Sequence, residues 1–436
     1  MLDFPWLVAA LGMLAVGSIV ALRQKASDGA RRVGLIALAT HLVLLLIERR
    51  GDTMNGFPVG RGWVGLDAVN AIPLPVVGML GLAVLAFAPR RALGAAFPAR
   101  LLWFVLATDI AYAATGPWVM AAAWALAWLP MARDLDLGAR ALLCAASVLL
   151  PAGIALGPKG LFLVLAAVVL RKGLFPAQGW IVRNCARGAL LPMLLLVNAH
   201  AGAFVLLRLA PRATPLVTDL ALGTAVYAAV VGLRDRALRR ILAWLSVSQS
   251  AFLVAGLESG TVEGLSGAML LWQVVVASTA VLFLELSALE ARIDGELSSD
   301  HLGLAARAPR LAAAFGIAGL ALVGAPATLG FCAEDLLLHG TLAAHPRIGI
   351  LLPIATAMNA VTVVRLFARL FLGPTAAGTE DLEDALPRER AVLTAVILFL
   401  MAGGLAPRWL AQRSEAAARA VLPEAAGAEA HDSPTG

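Results

Sequence analysis

Residues 160–183 read GLFLVLAAVVLRKGLFPAQGWIVR, and this stretch decides the class of fold. It is apolar and long enough to cross a hydrocarbon core of about 30 Å as an α-helix. Two adjacent cations, Arg171 and Lys172, interrupt it and are followed by Pro176. Proline removes a backbone donor and breaks a helix, so the carbonyl oxygens that it frees can hold water or a proton. The stretch therefore predicts a broken transmembrane helix with positive charge at the break.

The composition extends this prediction to the whole chain. Of 436 residues, 60% are hydrophobic and only 14% are charged, and the mean hydropathy is +0.85. A soluble domain has roughly 25% charged residues, so a soluble fold is excluded. The apolar runs are about 20 residues long and do not alternate, which excludes the strands of a membrane barrel. We expect an all-α, polytopic membrane helix bundle.

The apolar runs predict about fourteen transmembrane helices, with the seventh and the twelfth broken. Residues 1–405 are predicted to form one transmembrane domain, and residues 406–436 a short amphipathic stretch followed by a disordered tail. The predicted spans are 5–22, 33–48, 67–88, 101–115, 117–132, 141–157, 160–183, 189–210, 215–233, 240–257, 264–290, 311–338, 348–371 and 388–405.

The distribution of the 34 Lys and Arg residues predicts the orientation in the membrane. If the first loop, residues 23–32, lies in the cytoplasm, the alternation of spans places most of these cations on the cytoplasmic side, as the positive-inside rule requires. Both termini then lie outside, and the location is the cell inner membrane, surrounded by lipid. The net charge of +6 follows from topology and predicts no nucleic-acid partner, because the cations sit in short loops.

No catalytic, metal-binding or cofactor-binding pattern is present in the sequence. The cysteines are scattered, with no CxxC pair and no neighbouring histidines at metal-ligand spacing: Cys144, Cys185 and Cys332. We expect no cofactor, and no enzymatic chemistry beyond a place in a larger translocase complex.

Ionisable groups inside the apolar spans are the candidate functional residues, because each costs at least about 2.5 kcal/mol to insert. Arg171 and Lys172 are the strongest pair. The alternative is that the helix ends at Leu170 and both cations only snorkel to the interface. His200 interrupts an apolar span and suits proton transfer near neutral pH, although a buried histidine can equally be a packing residue.

The carboxylates in the spans complete the set of candidates. Glu334 and Asp335 follow a segment that contains glycine and proline, residues 324–331, and either face the bundle interior or mark a helix end. Adjacent side chains point about 100° apart on a helix, so only one of the two is expected to face inward. Asp109 has no local cation and needs a partner from another helix. Weaker candidates are Asp219, Glu285, Arg365 and His41.

The broken spans and three motifs resemble the antiporter-like proton-translocating subunits of respiratory complex I and of Mrp-type antiporters. The motifs are GLDAVN at 65–70, LRRILAWLSVSQ at 238–249 and GFCAED at 330–335. They occur in the family's order over roughly residues 60 to 375. The resemblance implies fourteen core helices with both ends outside, and a proton-conducting subunit of a larger complex whose other membrane subunits are its partners.

The resemblance also assigns roles to the candidate residues. The family's helix-7 lysine falls on Arg171, with Lys172 beside it. Arginine stays protonated whereas a buried lysine can release its proton, so Lys172 is the predicted titrating group. His200 falls near the family's helix-8 group, and Glu334 on the terminal helix-12 group. The family's helix-5 glutamate is replaced by Ala125, for which Asp109 could substitute; its helix-11 histidine is also absent.

A narrower resemblance points to another partner. The segments LVN at 196–198, GAF at 202–204 and RLAP at 208–211 look like the membrane subunit of DAB-type inorganic-carbon transporters. That would imply a large zinc-binding, carbonic-anhydrase-like partner, although the chain is short for such a subunit and lacks its PTPVSAL run. Two further alternatives remain: a structural subunit whose ion path is inactive, and an unrelated solute permease.

Overall fold

The computed structural model describes residues 6–48, 63–209, 215–293, 295–297, 302–342, 346–375 and 382–422. These ranges are almost entirely α-helical and contain no strand, apart from one isolated bridge between Val64 and Ala114. The predicted all-α fold class is confirmed. The last part of the predicted disordered tail, residues 423–436, lies outside the described residues.

Eighteen α-helices follow one another along the described chain. They are α1 (Trp6–Arg23), α2 (Ser27–Glu48), α3 (Pro73–Phe87), α4 (Phe97–Ala113), α5 (Pro117–Ala127), α6 (Leu137–Ala155), α7 (Leu161–Lys172), α8 (Gly179–Ala186), α9 (Leu190–Asn198), α10 (Ala201–Leu209), α11 (Pro215–Arg234), α12 (Leu238–Leu257), α13 (Val262–Ile293), α14 (Pro309–Leu322), α15 (Leu329–Leu342), α16 (Pro346–Phe371), α17 (Pro387–Leu405) and α18 (Arg408–Val421).

The lengths of the observed helices support part of the predicted number of transmembrane spans. Within the described ranges, eight helices are long and apolar enough to cross a membrane, or nine if α17 and α18 form one span bent by 82°. Shorter helices make up the rest, so the figure of fourteen stays a prediction. The predicted seventh span is broken between α7 and α8, and the twelfth between α14 and α15.

A third break divides the span that was predicted as continuous over residues 189–210. Here α9 ends at Asn198 and α10 begins at Ala201, and His200 between them has a left-handed φ of 48°. The predicted third span also begins later than expected, because Asp67 and Asn70 form a turn ahead of α3. Asp67 Oδ1 accepts the backbone N–H groups of Val69 and Asn70, each at 2.8 Å.

Loops predicted to lie on the cytoplasmic side meet at one end of the bundle, which we call the arginine-rich end. Arg91, Arg100 and Arg239 line a cavity of about 560 Å³ there, together with Asp134 and Glu290. Arg100 is 2.7 Å from Asp134, and Arg239 is 2.8 Å from Glu290. Sequence-distant loops therefore share one membrane face, as the alternation of spans requires.

Asp136 fixes the start of α6 at this end. Its carboxylate accepts the N–H of Ala139 at 2.6 Å as a helix N-cap, and Arg183 of α8 donates to it at 3.2 Å. Partial burial alone would raise the pKa of Asp136, but these hydrogen bonds outweigh burial and hold the pKa below its usual range. One charged cap thus ties α8, which follows the first break, to α6.

We predict that Asp136→Ala lowers the free energy of unfolding by about 1 kcal/mol, as the loss of a helix N-cap usually does. The effect is present at neutral pH and disappears as the pH falls through the lowered pKa of the folded state, because the carboxylate then gains a proton. Thermal unfolding in mild detergent measures it. Asp28→Ala removes an exposed pair with Arg90 and serves as the control, which should change little.

Candidate proton-transfer site

The first break positions two cations inside the bundle. Helix α7 runs through Lys172 and ends at Gly173, whose left-handed φ of 67° lets its N–H donate to the carbonyl of Val169. Arg171 is 8% exposed and Lys172 is 5% exposed. The helix therefore does not stop at Leu170, and both cations are buried within the bundle.

Lys172 and His200 are brought together by two of the breaks. Lys172 Nζ contacts His200 Nδ1 and donates to Ser250 Oγ of α12, while Ser250 Oγ lies 3.4 Å from His200 Nδ1. One nitrogen of the Lys172–His200 contact must accept, so the two groups cannot both hold their full complement of protons there. His200 Nε2 has no hydrogen-bond partner within the described ranges.

The backbone at His200 is held from α4. Tyr112 donates its hydroxyl to the carbonyl of Ala199, and the ring of His200 packs edge-on against Trp272 at 5.2 Å between centroids. These contacts fix the imidazole on the Lys172 side of the break. Neither Tyr112 nor Ser250 was singled out from the sequence, because both look like ordinary core residues until the helices are placed.

Arg171 has a different environment from its neighbour. Its Nη1 donates to the carbonyl of Trp124 at 2.8 Å, and its guanidinium lies over the Trp124 ring, 4.6 Å from the centroid. The ion pairs found in the described part of the chain do not include Arg171. Arg171 is therefore a fixed buried charge held by α5, and Lys172 is the cation that faces the histidine.

Asp109 does not contact either cation. It is fully buried, and its Oδ2 is 3.0 Å from His41 Nε2 of α2; His41 Nδ1 in turn faces the carbonyl of Ala10 at 3.1 Å. The partner expected from another helix is thus the histidine rather than an Arg or Lys. The proposal that Asp109 substitutes for the absent helix-5 acid remains a prediction, and it cannot act by direct contact.

The second charged break holds Glu334. Gly324 has a φ of 66°, and a Cβ added to it would lie 2.4 Å from Glu334 Oε2, so the carboxylate packs against bare backbone. Thr356 of α16 donates to Glu334 Oε1 at 3.4 Å. Asp335 points outward, is 51% exposed and pairs with His339 at 3.3 Å. As helix geometry predicts, only one of the adjacent acids faces the bundle.

Several buried polar side chains of α12 lie between the two breaks. Ser246, Ser248, Gln249 and Ser250 are all buried, and Asn359 of α16 donates to Ser248 Oγ at 2.8 Å. Asn359 is one turn from Thr356, the partner of Glu334. Both amide atoms of Gln249 and the hydroxyl of Ser246 lack a protein partner in the described structure. Buried polar atoms of this kind are usually satisfied by internal water.

Fold and site together define a class: a polytopic helical membrane protein with buried ionisable groups at broken helices. Residues 143–359 match the family model described as NADH:quinone oxidoreductase/Mrp antiporter, TM. The predicted resemblance to complex I and Mrp antiporter subunits is confirmed by this match.

Relatives and solved structures agree with this assignment. NADH-quinone oxidoreductase subunit M of Mycobacterium tuberculosis is 30% identical over 261 residues, which are 57% of this chain and 47% of that protein. The chain thus spans about half the length of the curated relatives it matches. In fold, it is similar to a chain of respiratory complex I from Thermus thermophilus with bound NADH, at a TM-score of 0.82, 22% identity and coverage of 95% and 99%.

The Mrp complex from Dietzia sp. DQ12-45-1b contains another chain with this fold. It superposes with a TM-score of 0.83 at 19% identity, over 96% of this chain and 52% of that one. At these identities, the two solved structures establish the shared architecture. Roles for individual residues have to be argued from the contacts in this chain.

We predict that Gly324→Ala destabilises the protein by about 1–3 kcal/mol, because alanine is strained at a positive φ. Its Cβ also meets the Glu334 carboxylate. Thermal unfolding of Gly324→Ala, Glu334→Ala and the double variant separates the two causes. The double variant should recover part of the loss. Gly12→Ala, where the added Cβ meets nothing within 4 Å, is the control. Strictly additive effects would contradict the packing of Glu334 on Gly324.

Proposed function

We propose that this chain conducts protons across the membrane as one subunit of a larger energy-coupling complex, of the NADH-quinone oxidoreductase or Mrp antiporter type. The observation that carries the proposal is the contact of Lys172 with His200 and Ser250, buried where α7 ends and where α9 gives way to α10. A lysine that can give its proton to a neighbouring imidazole is a proton-transfer pair by its chemistry.

The proposed route runs from this pair to Glu334. Protons pass from Lys172 and His200 to water beside the polar side chains of α12, where the amide of Gln249 has no protein partner in the described ranges. Ser248, Asn359 and Thr356 continue the polar contacts to the Glu334 carboxylate. Arg171 does not carry the proton in this scheme. Its fixed charge, on the residue next to Lys172, opposes the gain of a second positive charge on the pair.

The partners that we propose are other membrane subunits of such an assembly, in the cell inner membrane, with both termini on the outer side. The chain has no motif for a nucleotide, flavin or metal, so the energy must come from or go to a partner. The exposed Asp335–His339 pair on α15, at the end of the predicted span 311–338, offers a charged contact surface for a protein neighbour. The zinc-binding, carbonic-anhydrase-like partner remains the alternative.

A structural subunit with an inactive path is the second candidate function. One observation favours it: the buried Arg171 contacts the Trp124 carbonyl and ring, and Ala125 stands where the family has an acid. Without that acid, only the carbonyl dipole and the ring of Trp124 balance the charge of Arg171 among the described residues. The charge of a passing proton would then be coupled less strongly to the helix break.

We predict that Lys172→Ala reduces proton flux in proteoliposomes by on the order of a hundredfold, because it removes a group that transfers protons. Lys172→Arg should be equally impaired, since arginine keeps the charge but does not release its proton. Lys159→Ala changes an exposed lysine just before α7 and should retain the flux. Wild-type flux at the background level, equal to that of Lys172→Ala, would favour the structural function.

We predict that purification from the native membrane in mild detergent brings down further antiporter-like membrane subunits, identified by mass spectrometry. The charge reversal Asp335→Lys should reduce their yield, because it changes the exposed pair on α15. Recovery of a single large zinc protein would support the inorganic-carbon alternative. Recovery of the chain alone would contradict a complex of either type.

A further inference from the structure

The cavity of about 560 Å³ at the arginine-rich end takes no part in the proposed proton path. Its polar wall consists of arginines and acids from sequence-distant segments: Arg91, Arg100 and Arg239, with Asp134 and Glu290. The guanidinium groups outnumber the carboxylates on this wall. Hydrogen-bond donors that line the cavity without a protein partner indicate which kind of ligand it can hold.

Arg100 has donors left for a ligand. Its Nη1 makes both of its protein contacts, with Asp134 Oδ2 at 2.7 Å and with the carbonyl of Pro130 at 3.3 Å. Nε and Nη2 have no hydrogen-bond partner among the described residues, and a guanidinium fork matches the oxygens of a phosphate. Arg239 differs, because Glu290 accepts from its Nε and Nη2 at 2.8 and 3.2 Å. Arg239 is thus fixed by an acid, whereas Arg100 can bind a further group.

Two helices begin at this cavity without a capping side chain. Helix α4 follows Ala96 and α9 follows Ala189, and neither has an acidic residue in its first turn. The first helical hydrogen bond of α9 is donated by Met193, so the N–H groups of Leu190 and Leu191 have no partner in the described structure. Both leucines line the cavity. A helix N-terminus of this kind carries partial positive charge and favours an anion.

Ser287 of α13 adds an independent donor. It lines the cavity and is only 8% exposed, so more than nine-tenths of it is buried. Within the described ranges, its hydroxyl makes no hydrogen bond. A buried hydroxyl without a partner costs free energy unless a ligand or a water molecule satisfies it. The hydroxyl therefore indicates a ligand that accepts hydrogen bonds.

The chemistry of the wall favours a phosphate ester. Phosphate oxygens accept hydrogen bonds from guanidinium and from backbone N–H groups, and both kinds of donor are present. The rest of the wall is largely apolar, with Phe97, Leu191 and Pro192. The volume of about 560 Å³ leaves room for the group that carries the phosphate. Basic pockets between transmembrane helices on the cytoplasmic side are suited to anionic lipid head groups.

We infer that this cavity binds a phosphate group through Arg100, Ser287 and the start of α9. The phosphate is supplied by an anionic phospholipid or as the free anion, and the apolar part of the wall favours the phospholipid. The site is independent of the proposed function, because neither the Lys172–His200 contact nor Glu334 takes part in it.

Native mass spectrometry tests the lipid as the source. The full chain, purified in dodecyl maltoside and washed free of lipid, is mixed with dioleoylphosphatidylglycerol or dioleoylphosphatidylcholine at equal concentration. Phosphatidylglycerol should be retained more strongly, because the choline cation meets the arginines. Arg100→Gln should weaken its binding at least about tenfold, and Ser287→Ala roughly threefold. Arg133→Gln changes an exposed cation at the same end that does not line the cavity, and should bind like the wild type.

Equilibrium dialysis with ³²P-labelled inorganic phosphate tests the free anion as the source. Saturable binding that Arg100→Gln abolishes, without retention of phosphatidylglycerol, would support the site with free phosphate as its ligand. Thermal unfolding without ligand shows whether both variants fold. If Arg100→Gln does not fold, Ser287→Ala decides, and an affinity equal to that of the wild type overturns the inference.

Two further outcomes would overturn the phosphate site. One is retention of both lipids that neither folded variant changes, since this is adsorption to apolar surface. The other is the absence of saturable binding for every probe. Neither experiment measures proton flux, so a failure here leaves the proposed function untouched, and a chain that does not conduct protons leaves the phosphate site standing.

Discussion

Every backbone group that a helix break frees inside the membrane needs a partner from the protein, since lipid offers none. At the first break, the indole N–H of Trp180 donates to the carbonyl of Leu170 at 3.1 Å, and Thr224 Oγ1 accepts from the N–H of Phe175 at 2.9 Å. At the break beside His200, the hydroxyl of Tyr112 donates to the carbonyl of Ala199. These partners come from α8, α11 and α4, so the breaks define how the helices pack around them.

The same constraint separates the ionisable groups by role. Arg171 is held by the carbonyl and ring of Trp124, and Asp109 is paired with His41. Lys172 faces a histidine and a hydroxyl, which can pass a proton on, whereas Glu334 rests on the bare backbone of Gly324. Groups with fixed partners hold the structure together, and groups whose partners can exchange protons form the proposed path.

Local chemistry explains which features could be predicted from the sequence. Proline and glycine weaken a helix locally, so the breaks at Pro176 and Gly324 were predicted from residue type. The break at His200 was not predicted, because residues 189–210 are largely apolar and the left-handed φ of His200 is not signalled by its residue type. The partner of Asp109 could not be predicted from the sequence either. His41 lies 68 positions away, and only the packing of α2 on α4 brings the two residues together. Glu285 was recognisable as a candidate, but its complete burial is a tertiary property.

The central claim is that Lys172 releases and regains a proton while it is buried against His200. The chain has three lysines, Lys25, Lys159 and Lys172, so solid-state ¹⁵N NMR of the lysine-labelled protein in lipid can resolve each side-chain amine. The account predicts that the signal of Lys172, assigned by its absence in Lys172→Arg, changes between ammonium and amine over a pH range in which Lys25 and Lys159 stay ammonium. Three signals that remain ammonium throughout that range would contradict it.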